Sequence, residues 1–110
     1  MMQANEVQQR VSRIKQTIQQ ASQACVSAGD SVPGNIKRSV DELDQQSDQA
    51  TKTLQQASDE ASIRQCVDEL EQLGDKAKAA CESAANVDQK LKDAVVKAHQ
   101  ELSQLKHQVH

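Results

Sequence analysis

The segment Ala24-Cys25-Val26-Ser27-Ala28 recurs later in the chain as Ala80-Cys81-Glu82-Ser83-Ala84. A second repeated pattern follows each copy. In it Val32, Ile36, Lys37 and Val40 correspond to Val87, Leu91, Lys92 and Val95. The second copy is one residue shorter between the two patterns, since Cys81 lies closer to Val87 than Cys25 does to Val32. The repetition predicts a single domain, 1–110, made of two similar halves, 1–57 and 58–110.

Each half is predicted to be a pair of antiparallel helices, because its apolar residues recur every three or four positions. In the first helix this spacing is unbroken, at Ala4, Val7, Val11, Ile14, Ile18, Ala21, Cys25 and Ala28. Such a stripe lies on one side of a helix and packs along its length on other helices. Gly29 and Pro33 then predict a turn, since glycine suits the position after a helix and proline suits a first helical turn.

A second helix is predicted from about Pro33 into the high fifties. Its stripe consists of Ile36, Val40, Leu43, Ser47, Ala50, Leu54, Ala57 and Ala61. The next apolar residues, from Ile63 to Leu70, fall on the opposite side of a continued helix at about 100° per residue. We therefore expect a turn within residues 58–62. Two helix starts compete there, one at Ser58-Asp59-Glu60 and one at the capping box Ser62-x-x-Gln65.

The third helix is predicted to run unbroken through Gly74, because its stripe keeps its phase there. That stripe consists of Ile63, Cys66, Leu70, Leu73, Ala77, Ala80 and Ala84. The repeat places the next turn at Asn86, where Asn86-x-x-Gln89 is another capping box. The fourth helix carries Val87, Leu91, Val95, Ala98, Leu102, Leu105 and Val109. Two such hairpins predict an all-α, antiparallel four-helix bundle.

Gly74-Asp75 supports a competing fold, because glycine followed by aspartate is a natural stop and restart for helices. In that fold three long helices span residues 3–29, 33–73 and 75–109. A third arrangement keeps one long helix through residues 58–62 and exchanges hairpins between two chains, as a domain-swapped dimer. A turn at residues 84–87 favours the four-helix bundle, whereas a turn at Gly74 favours the three-helix fold.

The composition requires a core without aromatic side chains, because the 110 residues include no Phe, Tyr or Trp. The abundant Ala, Gln, Glu, Lys and Leu suit helices better than strands. Residues 41–75 carry two basic and ten acidic groups. Residues 1–40 carry five basic and two acidic groups, and residues 76–110 carry six basic and four acidic groups. An acidic middle between more basic ends favours the middle folding back on the ends.

The sequence also indicates what the protein does not contact. A net charge of −3 and the lack of aromatic residues argue against a nucleic-acid partner. No apolar run approaches the ~20 residues of a membrane span. No signal peptide is visible at the N-terminus. We therefore expect a cytoplasmic protein. The alternative is a secreted protein whose signal peptide has already been removed, because its sequence would look the same.

The three cysteines are predicted to be small core residues, since an odd number argues against a full disulfide framework. Cys25 and Cys81 end helices one and three at the same end of the bundle, where a disulfide or another thiol role is the alternative. A bridge between Cys66 and Cys81 is impossible in the four-helix bundle, because about 22 Å of helix separates them. The three-helix fold would allow that bridge.

The histidines suggest the one candidate metal site. In the predicted bundle His107 and His110 lie near Cys66, and His99 lies near Gly74. Cys66, His107 and His110 together offer the nitrogen and sulfur ligands that zinc prefers. The alternative is a frayed, solvated C-terminus. A di-iron site of the bundle type is excluded, because no Glu-x-x-His occurs and no stripe position holds a carboxylate. No cofactor is expected.

Glutamines flank the stripes of the first two helices and form the candidate interaction surface: Gln8, Gln9, Gln16, Gln19, Gln20, Gln23, Gln45, Gln46, Gln49, Gln55 and Gln56. Neutral side chains beside a helical seam permit association without strong charge selection. No nucleophile motif, glycine-rich phosphate loop or Cys-x-x-Cys occurs. We therefore expect a non-enzymatic protein that forms a homodimer or oligomer, or binds a helical protein partner.

The alternative function is metal or thiol handling by Cys66 with His107 and His110, or by Cys25 with Cys81. No motif ties the chain to a known family. Its general composition resembles that of small bacterial helical-bundle proteins.

Overall fold

The computed structural model describes residues 3–56, 59–84 and 86–110. Within these residues there are four α-helices: α1 (Ala4–Ala28), α2 (Gly34–Gln56), α3 (Glu60–Ser83) and α4 (Gln89–Val109). α1 and α3 each pack against both α2 and α4, so the helices form a ring around a common core. The bundle measures 42 × 21 × 17 Å. The predicted four-helix bundle is confirmed.

The first turn is built as the sequence predicts. α1 ends at Ala28, and Gly29 adopts a φ of 62°, a left-handed conformation that disfavours residues with a side chain. A short 3₁₀ turn, Gly29–Ser31, follows, in which Ser31 Oγ donates a hydrogen bond to the Ala28 carbonyl oxygen at 2.7 Å. Pro33 directly precedes α2, where its missing N–H leaves no donor unpaired.

The turn between α2 and α3 overlaps the predicted region, although Ala57 and Ser58 lie outside the described residues. Asp59 is the N-cap of α3, and its carboxylate accepts hydrogen bonds from the backbone N–H and the hydroxyl of Ser62, both at 3.1 Å. The predicted capping box that starts at Ser62 is therefore wrong, because Ser62 already lies inside α3 and its backbone N–H donates to Asp59. Ala61, expected on the inner stripe of α2, is an exposed residue of α3.

α3 continues through Gly74, so the three-helix fold with a turn at that residue is wrong. A Cβ atom added at Gly74 would lie 3.1 Å from Leu102 Cδ1 and 3.7 Å from the Cα atom of His99. The missing side chain therefore lets α4 approach α3 closely. This contact also confirms the predicted position of His99 beside Gly74.

α4 starts later than the capping box at Asn86 predicts. The N-cap is Asp88, whose carboxylate accepts a hydrogen bond from the backbone N–H of Leu91 at 3.3 Å. The capping box at Asn86 is wrong, because Asp88 is closer to the free N–H groups of the first turn. The turn itself falls between Ser83 and Gln89, as the repeat predicts, with Ala85 outside the described residues.

The core side chains follow two stripes that each occur twice. We call two positions equivalent when they are matched by the repeat, which pairs Cys25 of α1 with Cys81 of α3 and Val40 of α2 with Val95 of α4. The stripe of α1 buries Val7, Val11, Ile14, Ile18, Ala21 and Cys25, and the equivalent positions of α3 bury Ile63, Val67, Leu70, Gly74, Ala77 and Cys81. The stripe of α2 buries Ile36, Val40, Leu43, Ser47, Ala50 and Leu54, and the equivalent positions of α4 bury Leu91, Val95, Ala98, Leu102, Leu105 and Val109. The duplication itself stays a prediction, which this correspondence supports.

The predicted stripe of α3 needs a correction. Val67, Gly74 and Cys81 are buried, whereas Leu73, Ala80 and Ala84 are partly exposed. The prediction followed Leu73 because leucine is the more apolar of two neighbouring residues, and Gly74 has no side chain to register as apolar. Because Ile63, Leu70 and Ala77 belong to both stripes, the inner face of α3 is displaced by less than one residue step of about 100°.

Ion pairs join the acidic middle of the chain to both ends, as the charge distribution predicts. Lys15 of α1 pairs with Asp48 of α2. In the second half of the chain, Lys106 Nζ lies 3.7 Å from Glu71 Oε2. Among the described residues, no helix combines the length and the apolar character needed to cross a membrane.

Candidate functional site

The three cysteines are free and buried, which confirms their predicted place in the core. Cys25 and Cys81 share one core cluster, on α1 and α3 at the same end of the bundle, and Cys66 lies in the other cluster. Burial raises the pKa of all three thiols, and the Asp41 carboxylate raises that of Cys25 further. Because the thiolate is the reactive form, these positions are poorly suited to thiol chemistry.

The candidate metal ligands do not converge. Cys66 belongs to the buried side of α3, whereas His107 and His110 are exposed near the end of α4. His110 Nε2 instead lies 2.7 Å from Asp68 Oδ1. No three His, Cys, Asp or Glu side chains in the described part of the chain are arranged to hold a metal ion. The thiol faces the core and the two imidazoles face solvent, so spacing along the helices does not bring them together.

One buried polar atom between α3 and α4 has no hydrogen-bond partner. His99 Nε2 is buried and makes no hydrogen bond, although it lies 3.6 Å from Glu71 Oε1 and 3.5 Å from Asp75 Oδ1. Glu71 also faces Lys106. We call these four residues the α3–α4 polar seam. Lys106 and Glu71 form an ion pair between the two helices, and the His99 imidazole lies beside the carboxylates of Glu71 and Asp75.

The contact between α1 and α2 has a seam of the same kind. Asp44 Oδ1 is buried without a hydrogen-bond partner. Burial raises the pKa of Asp44, and Asp48 raises it further, while Lys15 opposes both effects. Lys15, Asp44 and Asp48 form the α1–α2 polar seam.

The outer side of α1 carries a long uncharged stretch. Along residues 16–28 its exposed side chains are Gln16, Gln19, Gln20, Gln23, Val26 and Ser27. None of them is charged, and we call this set the neutral face. Val26 is 80% exposed, and among the described residues it is the one large apolar side chain left in solvent.

The outer sides of α2 and α3, and that of α4 as far as Lys97, carry exposed charges, whereas the exposed residues of α4 beyond Lys97 are Gln100, Gln104, His107 and Gln108. The exposed residues of α3 at the positions equivalent to the neutral face are Gln72, Asp75, Lys76, Ala79, Glu82 and Ser83. The exposed charges of α2 are Arg38, Asp41, Glu42, Asp48 and Lys52, and those of α4 are Lys90, Asp93 and Lys97. The glutamines of α2 are therefore interleaved with charge, and only the α1 half of the predicted glutamine surface is neutral over a long stretch.

A groove of about 490 Å³ borders the neutral face on the α4 side. Its α1 wall contains Gln20, Gln23, Ala24 and Ser27, and its α4 wall contains Ala94 between charged residues of both signs. The small side chains of Ala24 and Ala94 leave this space open. Sequence reasoning found the glutamines but missed Val26 and the groove. The heptad spacing of Gln9, Gln16 and Gln23 was the available signal for a second helical stripe.

Comparison of the chain with protein-family models, with curated proteins and with solved structures finds no match.

Proposed function

We propose that this protein is a non-enzymatic helical-bundle module that acts through its surface, by association with a second copy of itself or with another helical protein. The observation that carries the proposal is the neutral face of α1. This face combines an uncharged stretch of exposed residues with Val26, which is 80% exposed. Both features suit a surface that is covered by a partner.

The composition of the neutral face supports this proposal. The buried centres of protein interfaces are depleted of charged residues, because charges are costly to remove from water. A single exposed valine is ordinary on a protein surface, so Val26 alone carries little weight. Its neighbours Gln19 and Gln23 carry no charge either, and the whole face can therefore be covered without leaving an ion unpaired.

Site-specific photo-cross-linking in the native cells tests the proposal. A photoreactive phenylalanine derivative replaces Gln16 on the neutral face in one variant. In the control variant it replaces Gln72, an exposed glutamine at the equivalent position of α3. We expect a defined cross-linked species from position 16 and none of comparable yield from position 72, with the captured protein identified by mass spectrometry. Equal yields from both positions, or none from either, would contradict the proposal.

A further inference from the structure

The bundle contains the same groove twice. The groove between α1 and α4 has an equivalent between α2 and α3, with a volume of about 300 Å³. Every residue that lines the α2–α3 groove has its equivalent, by the repeat, in the lining of the α1–α4 groove. Gln20, Ala24, Lys90, Asp93, Ala94 and Lys97 of the α1–α4 groove correspond to Lys76, Ala80, Asn35, Arg38, Ser39 and Glu42 of the α2–α3 groove.

An ion pair of the protein's own residues spans the α2–α3 groove. Lys76 Nζ of α3 lies 3.6 Å from Glu42 Oε2 of α2. At the equivalent positions α1 has Gln20 and α4 has Lys97, so this pair of positions holds a cation but no carboxylate. The α1–α4 groove is also the larger of the two, at about 490 Å³ against about 300 Å³.

Lys97 forms no ion pair among the described residues. Its two acidic neighbours one helical turn away are the natural partners of such a lysine. However, Asp93 Oδ1 accepts a hydrogen bond from Gln89 Nε2 at 2.7 Å. Glu101 Oε1 accepts one from the hydroxyl of Thr17 at 3.0 Å. Lys97 therefore lines the groove with its ammonium group unpaired.

We propose that the α1–α4 groove binds a carboxylate between Gln20 and Lys97, at the place equivalent to that of the Glu42 carboxylate in the α2–α3 groove. The Lys97 ammonium provides a charge-assisted hydrogen bond, and the NH₂ group of Gln20 donates a second one. Ala24 and Ala94 have small side chains, which leave room for the bound group.

The groove as a whole is neutral, because Lys90 and Lys97 balance Asp88 and Asp93. Asp88 already accepts a hydrogen bond from the backbone N–H of Leu91 at 3.3 Å. Recognition therefore depends on the position of Lys97 and not on a positive field. A single exposed contact of this kind is weak, so we expect acetate to bind with a dissociation constant of about 10 mM. A glutamate or aspartate of a partner protein and a small organic acid both offer this carboxylate chemistry.

Titration of the isotope-labelled full chain with sodium acetate, followed by NMR, tests the proposal. Sodium chloride at the same ionic strength is the reference. We expect saturable shifts of the side-chain signals of Gln20 and Lys97, and none at Lys76, whose ammonium already faces Glu42. Shifts that do not saturate, or that are equal at all lysines, would show non-specific contact and overturn the proposal.

Two variants exchange the pairs between the grooves. Gln20→Glu supplies a carboxylate from α1 and should weaken acetate binding at Lys97 by at least about tenfold. Glu42→Lys/Lys76→Gln gives the α2–α3 groove the residues of its equivalent and should create a second acetate site there. Gln72→Glu, outside both grooves, is the control and should leave acetate binding unchanged. Undiminished acetate binding by the Gln20→Glu variant would contradict the proposal.

Circular dichroism establishes that each variant is folded, which is expected because all substituted positions are exposed. Adding Lys97→Ala to the Gln16 cross-linking variant distinguishes the two sources of the carboxylate. Loss of the cross-linked species assigns the carboxylate to the partner protein, and unchanged cross-linking assigns it to a small acid. Acetate binding requires no partner protein, so a failed titration leaves the proposed function to the cross-linking result, and failed cross-linking leaves the titration result intact.

Discussion

The two hairpins of the bundle bury equivalent positions, several of them with identical residues, but they differ in charge or in size at two neighbouring pairs of positions. In the first hairpin α1 supplies the cation Lys15, and α2 supplies carboxylates, including the buried Asp44. In the second hairpin α3 supplies the carboxylate Glu71 at the position equivalent to Lys15. α4 supplies His99 at the position equivalent to Asp44. A carboxylate thus replaces the cation at the first position, and an imidazole replaces the carboxylate at the second.

Side-chain size is exchanged at a neighbouring pair of positions. The first hairpin buries the large Ile18 and the small Ser47, whereas the second buries Gly74 and the large Leu102 at the equivalent places. The hairpins therefore share a pattern of burial and several residues, such as Val11 and Val67. At this pair of positions they differ in which helix supplies the large side chain.

The largest expected effect on stability comes from giving α3 the large side chain and α4 the small one at this pair of positions. Leu102→Ser should lower the free energy of unfolding by about 3–5 kcal/mol, because it leaves a cavity. Gly74→Ile should cost about 1–3 kcal/mol through overpacking against Leu102. The two changes together recreate the first hairpin's pair and should cost at least about 1 kcal/mol less than their sum. Urea unfolding followed by circular dichroism measures all three.

The reverse exchange, Ile18→Gly with Ser47→Leu, is the matched control and should show the same non-additivity. Strict additivity in both hairpins would mean that the two positions do not compensate for each other.

A smaller effect is expected from reversing one seam charge. Lys15→Glu should destabilise the protein by about 1 kcal/mol, because the new carboxylate faces Asp44 and Asp48 at a partly exposed site. Adding Asp48→Lys should restore most of the loss. The effect should shrink in high salt, since screening weakens exposed charge pairs. Lys97→Glu, at an exposed position of α4, is the control, and an equal effect there would refute a role for the seam.

A still smaller gain is expected at the start of α1. Gln3 and Asp59 are the N-caps of α1 and α3, occupy equivalent positions and have similar backbone angles, with φ of −78° and −83°. Gln3 makes no side-chain capping bond, whereas Asp59 does. Gln3→Asp should therefore raise the free energy of unfolding by about 0.5 kcal/mol. Thermal unfolding measures the gain, and Gln3→Leu should produce none.

The last prediction concerns the pH dependence of stability. The pKa of Asp44 is raised in the folded protein, so its contribution to stability is fully present below the ordinary value of 3.8 and is lost as pH rises through the folded-state pKa. Asp44→Asn should therefore gain stability relative to the wild type as pH increases from acid to neutral. Unfolding by urea at several pH values measures the difference, and a pH-independent difference would contradict the prediction.

Asp59 provides the control of opposite sign. Its hydrogen bonds with Ser62 lower its pKa, so its contribution is present above 3.8 and is lost as pH falls through the lowered value. Asp59→Asn should accordingly lose stability relative to the wild type at neutral pH, with the loss fading in acid.

Periodicity was sufficient to predict the fold, because the stripes of α1 and α4 are apolar at every position and that of α2 is interrupted only by Ser47. It misplaced the stripe of α3 at Leu73, where the inner position belongs to Gly74 and no apolar side chain marks it. The capping box at Asn86 missed the N-cap Asp88, whereas one of the two helix starts predicted near residue 60, Ser58-Asp59-Glu60, contains the observed N-cap Asp59. Several cap-forming residues stand close together at both places, and only the backbone decides among them.

The candidate surface was predictable only in part. The glutamines are visible in the sequence, but the neutral face depends on which neighbouring charges turn outward. Lys15 lies close to Gln16 along the chain and is drawn into the α1–α2 seam by Asp48. That pairing depends on tertiary structure, as does the exposure of Val26 next to the buried Cys25.

The aromatic-free core has a consequence for how the molecule interacts with light. With no Phe, Tyr or Trp in the chain and three free thiols, the folded protein has almost no near-ultraviolet absorption or intrinsic fluorescence. A tryptophan placed at Val26 would be its sole fluorophore, on the edge of the neutral face. Its emission would shift to shorter wavelength when that face is covered and would stay unchanged while it remains in water.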